Sequence, residues 1–150
     1  MAADPAIWAQ HPQQNRYERA VFKTFFDSAI AGGAAFLVLD AATGAIIGSS
    51  RYYDYNAAEK TIAIGYTFLA ARYWGGTYNR ALKKLMLQHA FTYVDAVLFH
   101  VGTTNLRSIK ALEKMGMYKR YNEPLNRNDT LSFEYIIRKG EPVFGEILTT

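Results

Sequence analysis

Between Thr61 and Gly116 the sequence alternates between extended and helical patterns, and this order constrains the fold more than any other feature. Thr61–Leu69 alternates large apolar residues with smaller ones, which predicts a strand. After a glycine turn, apolar residues recur at helical spacing over residues 76–94, with Tyr78 and Leu85 on the apolar face and Lys83 pointing away from it. Residues 96–101 form a short apolar run typical of a buried strand. Two central strands joined through a long helix therefore predict a mixed α/β fold.

Further elements flank this central unit on both sides. Residues 15–30 predict a helix that ends at a glycine pair, and residues 35–39 with 46–53 predict a hairpin. A short helix over 106–115 and a strand pair formed by 117–121 and 131–138 close the chain. We expect an α/β fold of the α+β kind, with a mixed, mostly antiparallel central sheet flanked by helices. The expected domain organisation is an irregular lead-in at 1–14, one domain at 15–140 and a C-terminal tail at 141–150.

Composition narrows the classes of function. The chain has 150 residues, half of them hydrophobic, which is enough for one buried core. It lacks both a long apolar run and a basic segment leading into one, so we expect a cytoplasmic protein without a membrane span. The absence of cysteine excludes disulfides, thiolate metal sites and a cysteine acyl intermediate, and the three histidines have no metal-ligand spacing, so no metal is expected. The formal charge of +4 is spread along the chain and does not require a nucleic acid partner.

The turn from Arg72 to Thr77 lies between the central strand and the long helix. The first N–H groups of a helix lack intrahelical acceptors, the helix dipole is positive there, and glycines let an anion approach the backbone. Gly75 and Gly76 therefore predict a phosphate site, although many such turns need glycine for backbone reasons alone. The spacing matches neither a Walker A loop nor a dinucleotide-binding fingerprint.

A second pattern follows in residues 101–108, VGTTNLRS, and 112–117, LEKMGM. Together with the glycine turn it resembles the GCN5-related N-acetyltransferase (GNAT) family, over about residues 34–138. In that family a signature Arg/Gln-x-x-Gly-x-Gly/Ala wraps the pyrophosphate of acetyl-CoA, and this chain matches it at Arg72 and Gly75 but has Thr77 at the last small position. The spacing of Asn105 and Ser108 is most similar to that of the RimJ/RimL-like branch.

The resemblance implies how acetyl-CoA, the cosubstrate, is held. Backbone amides near the end of the central strand would meet the pantetheine arm and polarise the thioester carbonyl, where that strand splays from its neighbour. Amides of the turn would hold the pyrophosphate, and Asn105 would hydrogen-bond the arm. The simpler role for Asn105 is to cap the following helix, and the two roles can coexist. The implied cofactor-binding residues are Thr67, Phe68, Leu69, Arg72, Tyr73, Trp74, Gly75, Gly76, Thr77, Tyr78, Asn105 and Ser108.

The catalytic groups are less clearly marked. Many family members protonate the departing thiolate with a tyrosine seven residues after the asparagine, but Leu112 stands there. Ser108 is the expected substitute, with an ordinary helix-start serine as the alternative and Tyr118 as a less favoured replacement. His100 is the candidate base, because histidine titrates near neutrality; a lone histidine on an apolar strand can equally be a satisfied core residue.

The sequence says least about the residues that bind the acceptor amine. Arg51, Tyr53 and Asp54 could line an acceptor pocket in which Asp54 attracts an amine, or they could belong to an amphipathic strand with exposed tyrosines. The opening strand and helix of the family have no counterpart in the roughly 14 residues before the first long helix, so we expect either a truncated start or a differently built acceptor side. An exposed sheet edge would then favour a homodimer.

The leading functional hypothesis is an N-acetyltransferase that moves an acetyl group from acetyl-CoA to a primary amine, on a small molecule or a protein N-terminus, by direct attack in a ternary complex. A non-catalytic acyl-CoA-binding module is the alternative, because Leu112 replaces the usual tyrosine. A nucleic-acid-binding domain is a third class, but no basic stripe supports it.

Overall fold

A computed structural model describes residues 1–9, 11 and 13–149. Backbone contacts divide the chain into two compact units. Unit 1 comprises Met1–Tyr53 and Ile64–Asn79, and unit 2 comprises Asp54–Ala63 and Arg80–Thr150. The parts of the expected lead-in and tail at Gln10, Pro12 and Thr150 lie outside the described residues.

Unit 1 holds the hairpin and most of the central strand. The elements of unit 1 are α1 (Pro5–Trp8), α2 (Arg19–Gly32), β1 (Ala35–Leu39), β2 (Ile46–Asn56, whose last residues lie in unit 2), β3 (Thr61–Leu69, whose first residues lie in unit 2), a 3-10 turn (Ala71–Tyr73) and the start of α3 (Thr77–Ala90). Antiparallel pairing joins β1 to β2, with a register shift between Val38 and Leu39, and Ala70 N donates to Ile47 O at 2.8 Å beside β3.

The core of unit 1 is aromatic. Trp8 is fully buried, with its ring centroid 4.9 Å from that of Phe68 and 5.8 Å from that of Phe25. Trp8 reaches this position because Asp4 accepts a hydrogen bond from Ala6 N at 3.0 Å and proline occupies the first helical position of α1. The expectation of an irregular lead-in is therefore wrong at Pro5–Trp8, where a capped short helix anchors the segment.

Unit 2 holds the other strands around β4. The elements are the rest of α3, β4 (Ala96–Gly102), α4 (Leu106–Met115), β5 (Tyr118–Lys119), β6 (Leu125–Arg127), β7 (Thr130–Arg138), β8 (Pro142–Val143) and β9 (Glu146–Ile147). The strand order is β3-β4-β7-β5, and β6 also pairs with β7. Thr61–Ala63 of β3 runs parallel to residues 96–98 of β4, while β7 pairs antiparallel with β4, β5 and β6.

The predicted fold class is confirmed: the sheet is mixed, mostly antiparallel and flanked by helices. The expected tail is in part a hairpin of β8 and β9, in which Val143 is fully buried and Phe144 N donates to Met115 O at 2.8 Å. Within the described residues no strand precedes α2. Among all the residues that the structure describes, no helix has the length and hydropathy needed to cross a bilayer.

The predicted buried face of α3 needs correction. Lys83 was expected to point away from the core, but it is buried, with its Nζ 5.4 Å from the Phe99 ring centroid. Tyr78 and Leu85, expected on the apolar face, are exposed. The stripe is rotated towards Lys83 because the long aliphatic stem of a lysine can cover apolar surface.

Candidate functional site

The end of β3 has an unusual backbone. Tyr66 adopts φ 54° inside the strand, a left-handed conformation that is rare for a bulky residue and is often found where function requires strain. Just before it, a Cβ at Gly65 would lie 2.7 Å from Tyr53 Cε1. The Tyr53 ring thus packs closely against the backbone at Gly65.

Side chains on both sides anchor the three residues that follow. The Ser50 and Thr67 hydroxyls are 2.8 Å apart and hydrogen-bonded, while Phe68 and Leu69 are buried. A Cβ at Gly48 would lie 2.1 Å from Phe68 O, so β2 approaches this segment closely. The backbone of Thr67–Leu69, expected to meet the thioester, is therefore held rigidly within unit 1.

The turn after β3 is fixed by its aromatic residues. The buried Tyr73 donates its hydroxyl to Asp40 Oδ2 at 3.3 Å, and Trp74 Nε1 donates to Leu69 O at 3.0 Å. The Tyr73 and Tyr78 rings meet edge to face with centroids 4.7 Å apart. Arg72 is exposed and lies over the Tyr73 ring, which places a cation at the turn.

Gly75 and Gly76 are the strongest indication of a ligand in this turn. Both have left-handed φ values, 110° and 102°, and a Cβ at either would meet nothing within 4 Å. The backbone therefore turns through conformations that favour glycine, leaves open space beside both residues, and enters α3 at Thr77. This arrangement fits a pyrophosphate, because the first amides of a helix lack intrahelical acceptors, the helix dipole is positive there, and the two glycines leave space for an anion.

In unit 2, Asn105 caps α4. Its Oδ1 accepts a hydrogen bond from Ser108 N at 3.3 Å, so the capping alternative is confirmed. This leaves the NH₂ group of the Asn105 amide to donate elsewhere. Ser108 is half-buried, and its hydroxyl makes no hydrogen bond within the described residues. Leu112 is buried and cannot donate a proton.

His100 belongs to a polar network. Its Nε2 lies 3.0 Å from Glu134 Oε1, and its side chain is 7% exposed. Arg120 lies between Glu134, at 3.3 Å, and Glu59, at 3.4 Å. Burial lowers the pKa of His100, and the hydrogen bond that its Nε2 donates to Glu134 only partly opposes this effect. A neutral imidazole beside a carboxylate carries its proton on Nε2, so His100 has the geometry of the satisfied core residue.

The expected acceptor residues separate into two environments. Arg51 is buried in unit 1 under the Tyr66 ring, and the Tyr53 ring meets that of Tyr66 edge to face at 5.3 Å. Asp54 belongs to unit 2 and pairs with Arg127 at 2.6 Å. The charge of Asp54 is therefore already balanced, which weakens its expected role in attracting an amine. Tyr118 donates its hydroxyl to Glu141 Oε1 at 2.8 Å, and burial raises its pKa.

One residue of interest was missed by sequence reasoning. Arg16 is half-buried, with its Cζ 4.5 Å from the Phe25 ring centroid and 5.7 Å from that of Trp8. It precedes α2 and lies in a polar stretch, QQNRYER, that overlaps the start of the helix predicted over residues 15–30, and no local pattern distinguishes it from a surface arginine. Across the described ranges, no group of three or more His, Asp or Glu side chains is placed to hold a metal ion.

Comparison with known families gives one match. Residues 1–118 match the family described as acetyltransferase (GNAT) domain. No curated protein matches the sequence at a significant level.

Solved structures share the fold. A GCN5-related N-acetyltransferase from Brucella melitensis is similar at a TM-score of 0.70 with 16% identity, covering 91% of this chain and 70% of that one. A GNAT-family acetyltransferase from Bacillus anthracis gives 0.68 and 16%, covering 93% and 86%. A spermidine N-acetyltransferase from Vibrio cholerae, solved in complex with CoA and spermine, gives 0.63 and 16%, covering 91% and 83%. At such identities the likeness establishes the fold and not the substrate.

Proposed function

Because the chain belongs to the GNAT acetyltransferase family, we propose that it transfers an acetyl group from acetyl-CoA to a primary amine by direct attack in a ternary complex. The observation that carries this proposal is the pair of left-handed glycines immediately before α3, with open space beside both. The Vibrio cholerae spermidine N-acetyltransferase, solved with CoA and spermine, supports both the cosubstrate and the amine class of the acceptor.

The proposal assigns binding to backbone groups of unit 1. When bound, acetyl-CoA supplies the acetyl thioester. The amides of residues 75–78 bind the diphosphate, and Arg72 adds a positive charge at the turn. Tyr73 and Trp74, also expected to contribute amides, donate theirs to Ala70 O and Ala71 O within the 3-10 turn. The amides of Thr67–Leu69 bind the pantetheine arm and polarise the carbonyl, where negative charge develops during attack; one such donor accelerates acyl transfer by about 10²–10³.

Three residues of unit 2 have proposed roles in positioning and proton transfer. Asn105 donates from its amide to the cofactor arm while its oxygen caps α4. Ser108 donates its hydroxyl to the departing sulfur, because Leu112 cannot. The amine must lose a proton to attack, and His100 is the proposed base, because histidine titrates near neutrality.

Replacing Gly75 tests the proposal directly. Gly75→Val forces a branched side chain into a left-handed conformation at the turn, so we expect CoA affinity to fall by about tenfold or more. Calorimetric titration with CoA measures this. Gly44→Val is the matched control, because Gly44 also has a left-handed φ, of 72°, with nothing within 4 Å of an added Cβ, but lies in the β1–β2 turn. Equal CoA affinity in both variants would show that the turn does not hold the diphosphate.

Thiol release distinguishes the enzyme from the alternative, a non-catalytic acyl-CoA-binding module, which the buried Leu112 favours. An enzyme releases CoA from acetyl-CoA in the presence of primary amines, and Ser108→Ala slows this release without changing CoA affinity. A module binds CoA equally well and releases none with any amine.

A further inference from the structure

Unit 1 contains two arginines near one aromatic ring and, within the described residues, no carboxylate paired with either. We propose that the acceptor amine of this enzyme also carries a carboxylate group, which Arg16 and Arg51 bind. This inference rests on the proposed function and specifies the acceptor class of the same site.

Arg51 retains a buried donor without an acceptor. The residue is nine-tenths buried; its Nη1 donates to Ser28 Oγ at 3.2 Å, and its Cζ lies 3.6 Å from the Tyr66 ring centroid. Its Nη2 is shielded from solvent and has no hydrogen-bond partner. Buried donors are almost always hydrogen-bonded in folded proteins, and a guanidinium stays charged at neutral pH. The unpaired Nη2 of Arg51 therefore indicates that a partner from outside the chain completes the site.

Arg16 brings a second positive charge to the same place. The Cζ atoms of Arg16 and Arg51 lie 4.5 and 4.9 Å from the Phe25 ring centroid. Arg16 Nε donates to Gln13 Oε1 at 3.1 Å, which leaves the terminal nitrogens of its guanidinium to donate elsewhere. Burial lowers the pKa of Arg16, and the charge of Arg51 adds to this effect. Two neighbouring cations without an anion repel each other, and a bound anion would remove that repulsion.

The position of Arg16 and Arg51 favours the acceptor substrate, rather than the cofactor, as their ligand. Tyr66, whose ring covers Arg51, directly precedes Thr67–Leu69, the segment proposed to polarise the thioester carbonyl. The glycine turn already provides for the diphosphate. Ser28 and Tyr66 are exposed residues, so the Arg51 guanidinium lies just below the surface and becomes accessible when one of these side chains turns.

The chemistry of guanidinium groups favours a carboxylate. Arginine presents a planar set of N–H donors that matches the two oxygens of a carboxylate. The same two charges repel a second ammonium group, so the site disfavours polyamines. The acceptor expected from this geometry is an amino acid or a short peptide, or another amine that ends in a carboxylate.

Three matched amines test the proposal with the full-length protein. β-Alanine, β-alaninamide and 1,3-propanediamine each present a primary amine on a short chain, and the group at the other end is a carboxylate, a neutral amide or a second ammonium. We expect kcat/KM for β-alanine to exceed that for β-alaninamide by about tenfold, with propanediamine the poorest acceptor. Preference for propanediamine, or equal rates for all three, overturns the inference. Preference for aminoethylphosphonate over β-alanine overturns the choice of a carboxylate.

Variants connect this preference to the two arginines. Arg51→Lys keeps the charge but loses the planar donor set, and Arg16→Gln removes the more accessible charge. Each is expected to raise KM for β-alanine about tenfold while changing KM for β-alaninamide by less than about twofold. Arg19→Gln, an exposed position on α2, is the matched control and should change neither. If the arginines are only structural, all amines are affected alike, and the inference fails.

A binding measurement separates this inference from the proposed function. Calorimetric titration of the protein with β-alanine, without acetyl-CoA, requires no catalysis. Binding that Arg51→Lys abolishes supports the anion site even when no amine is acetylated. Acetylation of propanediamine without binding or acetylation of β-alanine supports the transferase and overturns the anion site. Absence of β-alanine binding in the wild-type protein also overturns it.

Discussion

The two units differ in whether their charged side chains have partners of opposite charge within the chain. In unit 2, Glu134 accepts from His100 and Arg120, Glu59 also contacts Arg120, and Asp54 pairs with Arg127. In unit 1, Arg16 and Arg51 lie against aromatic rings without a carboxylate partner among the described residues. A charge that is satisfied within the chain contributes to the fold, whereas a buried charge left unsatisfied indicates a ligand.

Lys83 of unit 2 is a third case, a buried basic side chain that can lose its charge. It is buried over the Phe99 ring, much as Arg51 is buried under the Tyr66 ring. Burial lowers the pKa of Lys83 to about 7, so this lysine can lose its charge near neutral pH. A guanidinium cannot do so. The difference explains why an arginine in such a place needs an anion and a lysine does not.

The largest effect is expected for Lys83→Met. Between about pH 7 and pH 10 the unfolded chain holds a proton that the folded Lys83 has lost, so the free energy of unfolding of the wild type rises with pH over this window. The methionine variant has no such penalty. It should be more stable than the wild type by up to about 4 kcal/mol at pH 6, with the difference vanishing above about pH 10. Urea denaturation at both pH values measures it, and a variant less stable at pH 6 would contradict a desolvation cost for the charged Lys83.

The second effect concerns the network of unit 2. Glu134→Ala leaves His100 Nε2 and Arg120 Nη1 without their acceptor in a buried place, and we expect a loss of about 3 kcal/mol in the free energy of unfolding. Glu59→Ala is the control, because Glu59 contacts the same arginine but is half-exposed, and it should cost less than about 1 kcal/mol. Similar losses in both variants would mean that burial does not govern the energetics of this network.

The smallest effect is expected for Asp54→Asn. Asp54 and Arg127 are both partly exposed, so solvent screens their attraction and the free energy of unfolding should fall by less than about 1 kcal/mol. Steady-state kinetics with β-alaninamide should show an unchanged KM. A rise in KM at unchanged stability would restore Asp54 as the residue that attracts the amine and would break the contrast between the units.

Local sequence patterns predicted most of the framework. The bounds of β1, β3 and α4 agree with those expected, because alternation, helical spacing and the glycine after Met115 are encoded within a few residues. The short elements were missed: α1, β6 and the β8–β9 hairpin are too brief to show a period. Such segments are stabilised by distant contacts, as when Trp8 packs against Phe68.

The residues of the candidate site also fall into those that the sequence could reveal and those that it could not. The glycine turn and the capping asparagine were recognisable because their function depends on backbone geometry and on spacing along the chain. The network around His100 joins Glu59, Arg120 and Glu134, which are distant in sequence, and periodicity cannot reveal such a group. Arg16 was missed for the same reason.

The sequence by itself determined the order of the longer strands and helices, the glycine turn before α3 and the lack of a side chain able to donate a proton at Leu112. Only the tertiary structure decided which charges are neutralised: Asp54 by Arg127, Glu134 by Arg120, and Arg51 by none within the described residues. The physical reason is that backbone conformation depends on neighbouring residues, whereas the free energy of a charge depends on its burial and on groups that folding brings close from distant parts of the chain.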